Sequence, residues 1–234
     1  MRLPFTEEQF YDVFRAYNTA LWPAQLVLLG LALAALVLLL RPSRGSGVAI
    51  SAILAFLWAW MGVAYHWAFF RAINPLAPAF AALSLGGALL FLWHGLIRRR
   101  LEFRRTGGAR GTVGTALLLY SLVVYPAWSW LAGLRYPAMP TFGLPCSTTI
   151  FTLGILAFAV PPFPRSLLAV PILWCFVGAQ AAFLLDVPQD LGLLLAGGAG
   201  LGLLGRPQAD AQGGGAAQAP TGRRKGSKGS SRKG

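Results

Sequence analysis

Long apolar stretches alternate with short polar breaks along most of this chain. Seven stretches fit the pattern, near 22–40, 48–66, 77–97, 112–131, 145–161, 166–185 and 188–205. A helix rises about 1.5 Å per residue, so about 20 apolar residues carry it across the hydrocarbon core of a bilayer. The spacing predicts an all-α, polytopic transmembrane bundle of about seven spans. The fifth and seventh stretches are short and reach their length only by extension backward to Pro145 and Pro188.

The two ends of the chain read differently. In residues 1–21, Thr6 and Gln9 have capping-box spacing, and Phe5 and Phe10 stand at the two positions of a hydrophobic staple. Glu7 and Glu8 fall in the first turn, where the helix dipole favours negative charge. Phe10, Val13, Phe14, Tyr17 and Leu21 recur at helical spacing. This predicts an amphipathic helix on the outer side, lying on the membrane surface or folded over the bundle as a cap. Residues 206–234 are Gly, Ala, Gln and Ser followed by Lys and Arg, and have too little apolar surface to fold. A disordered basic tail is expected, with anionic lipid as its candidate partner.

Composition sharpens the class. Of 234 residues, 56% are hydrophobic and 12% are charged, about half the charge share of a soluble domain. A soluble surface needs more charge than that. The net charge of +13 resembles a nucleic-acid signal, but the cations sit in breaks between apolar stretches and in the tail. No nucleic-acid partner is expected; the lipid bilayer is. With seven spans, Arg2, Arg15, Arg71 and Arg135 share one side with the amino terminus. Arg41, Arg44, Arg98, Arg99, Arg100, Arg104, Arg105, Arg110, Arg165 and the tail cations share the other. The positive-inside rule then puts the amino terminus outside and the tail in the cytoplasm. Residues 1–21 lack the basic start and short apolar core of a cleavable signal peptide.

Little in the spans looks chemical. The carboxylates Glu7, Glu8, Asp12, Glu102, Asp186, Asp190 and Asp210 all avoid span centres, which disfavours a proton relay through the bilayer. Cys175 lies roughly 16 Å below the outer end of its helix, too deep to pair with Cys146 at the boundary. His94, beside Trp93, reads as an interfacial residue. The string Gly200-Leu-Gly202-Leu-Leu-Gly205 matches a dinucleotide fingerprint in letters only, since it lies in a membrane segment with no preceding strand. Gly86, Gly198 and Gly202, with Ala82 and Gly87, are read as helix-packing positions.

Polar variety gathers on the outer side instead. His66, Arg71 and Asn74 follow span two; Arg135, Tyr136, Thr141, Cys146 and Thr148 surround the start of span five; Asp186 and Asp190 precede span seven. A helix starting near Pro145 points free N–H groups at this region, a candidate anion site. The competing reading is an aromatic and proline-rich belt that only orients the helices. No metal or cofactor site is assigned, although His66, Cys146, Asp186 and Asp190 are possible donors, because none has local zinc spacing. No catalytic constellation is recognisable.

Several strings resemble domain-of-unknown-function family 6064, a group of uncharacterised bacterial multipass membrane proteins. They are Leu3-Pro4-Phe5-Thr6-Glu7-Glu8-Gln9-Phe10, Tyr65-His66 with Phe69-Phe70 and Ile73-Asn74-Pro75, and Tyr136-Pro137 with Pro140-Thr141-Phe142-Gly143-Leu144-Pro145-Cys146 and Thr148-Thr149-Ile150-Phe151-Thr152. Asp190-Leu191-Gly192-Leu193 continues the resemblance, which runs from about Leu3 to Leu204. The family pattern has Pro where this chain has Ser147, and often His where it has Arg135. The resemblance implies a bacterial inner-membrane protein and no activity. From the residues, the first expectation is a transporter or solute-binding protein with an extracytoplasmic site. A non-catalytic assembly subunit is the second, and a membrane-embedded enzyme the third.

Overall fold

In the computed structural model, residues 4–185 and 187–205 are described. The tail expected to be disordered lies outside them. Every described element is helical: α1 (Glu7–Ala20), α2 (Ala24–Leu40), α3 (Ser46–Trp60), α4 (Ala77–Phe91), α5 (Gly108–Leu119), α6 (Tyr125–Leu131), α7 (Pro145–Leu156), α8 (Ser166–Gly178), α9 (Ala181–Leu184) and α10 (Leu191–Gly205). Short π-helical stretches extend α3 over Met61–Trp67, α4 over Leu92–Ile97 and α5 over Tyr120–Val124. The last runs into α6, where Pro126 supplies no N–H for the regular helical ladder.

The seven-span expectation does not hold. Among the described residues, four helical runs are long and apolar enough to cross a membrane: Ser46–Ala72, Ala77–Ile97, Gly108–Leu131 and Ser166–Leu184. A fifth exists only if α1 and α2, bent by 88°, count as one. The physical reason is early helix termination. Pro161 and Pro162 and an extended stretch before them leave α7 with 12 residues, about 18 Å of helix. Helix α10 has 15 described residues. Apolar side chains such as Val27, Leu89, Val123 and Leu195 stand exposed around the outside, as helices facing lipid require.

Helix α7 is the centre of the bundle. Every residue in it except Cys146 is buried. It is buried on all sides, with α5, α8 and α10 packed around it. Its short length leaves space at the carboxyl end, which a loop fills. Phe103 pairs with Ala159 in an antiparallel bridge; the Arg104 N–H donates to the Phe158 carbonyl (3.0 Å) and the Val160 N–H to the Glu102 carbonyl (2.8 Å). The Arg110 guanidinium caps the Ala159 carbonyl. Irregular backbone at depth needs such partners. Leu101 and Phe103 are buried, so this arginine-rich loop is part of the core. A Cβ on Gly47 would stand 2.1 Å from the Leu101 carbonyl oxygen, so only glycine allows this approach.

Of the expected packing glycines, Gly87 packs closely and the others do not. A Cβ on Gly86, Gly198 or Gly202 would meet nothing within 4 Å. Their neighbours make the close contacts: Gly87 against Trp58, Gly197 against Cys175 and Gly200 against Ile172. Adjacent helical positions point about 100° apart, so a one- or two-residue offset turns a glycine from the interface to the outside.

Helix α1 lies across the end of the bundle opposite the buried loop. Its capping box forms as spaced, and Phe5 and Phe10 stack with centroids 6.1 Å apart. Phe10, Val13, Phe14 and Tyr17 are buried beneath it, so the helix is a cap. Two of its side chains, Tyr17 and Asn18, fasten it with hydrogen bonds. The Trp60 indole donates to the Tyr17 hydroxyl (2.8 Å). Asn18, fully buried, donates from Nδ2 to the carbonyls of Pro137 (2.7 Å) and Met139 (2.9 Å), while its Oδ1 accepts from Thr141 (2.8 Å) and from Gln25 (3.3 Å).

Candidate functional site

Under the α1 cap is a cavity of about 510 Å³. Phe5, Phe10 and Phe14 form its roof, and Tyr65, Phe70, Phe80 and Trp174 supply aromatic walls. Five polar residues join them: His66, Asn74, Tyr125, Cys146 and Gln180. An apolar cavity with a few converging polar groups is the usual form of a small-molecule site.

His66 is the unusual member. It lies in the last turn of the π-helical extension of α3, a helix form that recurs at functional sites. The side chain is 0% exposed, and among the described residues neither Nδ1 nor Nε2 has a hydrogen-bond partner. Its ring packs among Phe70, Phe80 and Trp174, the last with centroids 4.9 Å apart. The Trp174 indole N–H is buried and unpaired as well, and Gly178, another lining residue, lies beside it. Leaving one such group unsatisfied costs about 1–3 kcal/mol, so two side by side mark a place built for a partner.

Cys146 reaches the cavity from the first turn of α7. Its thiol donates to Asp190 Oδ2 (3.4 Å), and the Tyr125 hydroxyl donates to Asp190 Oδ1 (2.7 Å). Asp190 belongs to the one-turn helix Pro188–Asp190, between the spanning segments, and is buried. Burial pushes its carboxyl up to about 7, against the lowering pull of the two hydrogen bonds. The anion site expected at the start of α7 therefore has this carboxyl of the chain itself beside it. Both cysteines are free thiols, as their depths implied.

The ten expected site residues divide into groups. His66, Asn74 and Cys146 line the cavity, and Asp190 stands just behind Cys146. Asn74 also accepts from the Leu76 N–H (2.9 Å), which fixes the turn into α4. Tyr136 and Thr141 hold the cap: both donate to Asn18, at its carbonyl oxygen (3.0 Å) and its side chain (2.8 Å). Arg71 and Arg135 point away, exposed, over the rings of Trp67 and Trp130. Thr148 is buried inside α7, off the cavity. Asp186 lies outside the described residues. His94 is at the opposite end, 3.3 Å from the Ser166 hydroxyl. Among the described residues no group of three or more His, Cys, Asp or Glu converges as metal ligands.

Sequence reasoning missed Tyr125, Trp174 and Asn18. Tyr125 and Trp174 sit in apolar runs where an aromatic residue reads as lipid anchor or core. Asn18 had a signal: it is a polar residue in the same turn as Tyr17, on the buried face of an amphipathic helix.

Residues 7–212 match the model of a family of unknown function, DUF6064, and the chain belongs to that family. No curated protein and no solved structure matches it.

Proposed function

We propose that this family member is a membrane-embedded binding protein that holds one small molecule in the cavity beneath α1. The carrying observation is His66, fully buried in the lining with both ring nitrogens unpartnered. Binding accounts for the arrangement better than conduction does. The lining comes from one end of the bundle, while α7 fills the centre and Leu101 and Phe103 are buried at the other end. A catalytic reading has less support, because among the described residues His66 meets no nucleophile or acid within hydrogen-bond reach.

We further propose that the cavity end faces outward from a bacterial inner membrane. Arg15, Arg71 and Arg135 belong to that end, whereas nine arginines from Arg41 to Arg165 belong to the other. In a cysteine-free chain carrying Arg15→Cys, a membrane-impermeant maleimide is expected to label intact cells; labelling only after permeabilisation would reverse the sidedness.

The binding claim is tested by native mass spectrometry of the chain released from its own membranes. The wild type is expected to carry an extra small-molecule mass. Ala181→Phe, which fills part of the cavity, is expected to run as the same folded species without it. Equal spectra from the two chains would remove the proposal.

A further inference from the structure

We infer that the cavity takes a neutral lipid alcohol and admits it sideways from the bilayer; this rests on the binding reading above. Two observations carry it beyond that reading. The first is the charge of the lining. Among the described residues it contains no Asp, Glu, Lys or Arg. An ionised ligand would lie there without a counter-charge, at a cost of several kcal/mol. The ligand is therefore neutral, and its body is apolar like the walls.

The polar head follows from the two unpaired residues. A neutral imidazole offers one donor and one acceptor, and an indole offers one donor. A hydroxyl oxygen accepts from the Trp174 N–H and donates its proton to the bare nitrogen of His66. The two rings are neighbours, with centroids 4.9 Å apart, and the ligand oxygen we infer bridges them. A ketone satisfies only the donors, and a carboxylate brings the unpaired charge.

The second observation is the rim. Leu76 and Leu184 both line the cavity, yet they are 61% and 44% exposed. Leu76 immediately precedes α4 and Leu184 ends α9, so the mouth opens between these two helices. Both belong to the apolar outside of the bundle. A mouth edged by exposed leucines is wetted by lipid tails, and a molecule already dissolved in the bilayer enters without crossing water.

The test reconstitutes the full chain in phosphatidylcholine vesicles with hexadecanol carrying a diazirine in its chain, and in parallel with the matching ionised acid. After photolysis, the alcohol is expected to mark lining residues such as Phe80, Trp174 or Leu184, with at least tenfold less labelling by the acid. A Leu76→Trp, Leu184→Trp double variant is expected to slow cavity labelling several-fold while its final extent stays the same. Equal labelling by acid and alcohol overturns the neutral-head assignment. Alcohol labels confined to lipid-facing positions such as Leu89 and Leu195 overturn the lipid assignment; if the extra mass still accompanies the wild type, binding survives and only the ligand class falls. Unchanged labelling rates in the double variant overturn the sideways entry.

Discussion

His66→Phe is expected to make the empty protein more stable and the occupied one less so. Phenylalanine keeps a flat ring among Phe70, Phe80 and Trp174 but removes the two unpartnered nitrogens. Relief of that desolvation should stabilise the delipidated chain by about 1–2 kcal/mol. The same change deletes a hydrogen bond to the ligand head, about a tenfold loss of affinity. Thermal unfolding in detergent, with and without added hexadecanol, separates the two effects. The variant should melt higher alone and gain less from the alcohol. A histidine retained only for packing would give the opposite: a small loss alone and an unaltered response to the alcohol.

Asn18→Ala is expected to unfasten the cap. The side chain bridges α1 to the loop before α7 through Pro137, Met139 and Thr141. Alanine leaves two carbonyls and a hydroxyl without their partner in a part-buried setting. At about 0.5–1.5 kcal/mol per hydrogen bond, the cost is about 2–4 kcal/mol. The loss falls first on α1, which keeps the Trp60–Tyr17 bond and the bonds from Tyr136 and Gln25 to the residue-18 carbonyl. Hydrogen exchange should therefore quicken across Glu7–Ala20 before the core helices respond, and bound ligand should dissociate faster. Uniform exchange in wild type and variant would show that α1 is held by its apolar face alone.

Local features of this fold were legible in the sequence. The capping box, the staple and the buried face of α1 form as the residues are spaced, because each depends on neighbours three or four positions away. The apolar stretches located helices correctly but overcounted crossings, since apolarity marks burial as readily as lipid contact. The stretch near 145–161 is apolar because α7 is the core of the bundle. The faces of Gly86, Gly198 and Gly202 were misplaced, though not that of Gly87, because rotation about a helix axis is set by partners distant in sequence. The insertion of Leu101 and Phe103 had a signal that charge obscured: they alternate with Arg100, Glu102 and Arg104, the two-residue period of an extended segment with one buried face.

The candidate site was legible in part for the same reason. His66, Asn74 and Cys146 stood out as polar residues beside apolar stretches, and they share the cavity. Arg71 and Arg135 stood out equally but turn to nearby tryptophans, where a guanidinium stays solvated and stacks on a ring. Tyr136 and Thr141 reach the site only through Asn18, a link between residues more than a hundred positions apart.

Only two histidines occur in the chain, so ¹⁵N-histidine labelling isolates the residue on which the binding reading turns. Spectra would be recorded on protein released gently from its own membranes and on the same protein after exhaustive delipidation, with His94→Gln assigning the signals. The His66 ring nitrogens should shift between the two samples, from hydrogen-bonded to unpartnered, while His94 stays in place. Identical His66 signals in both samples would mean that nothing from the membrane occupies the cavity.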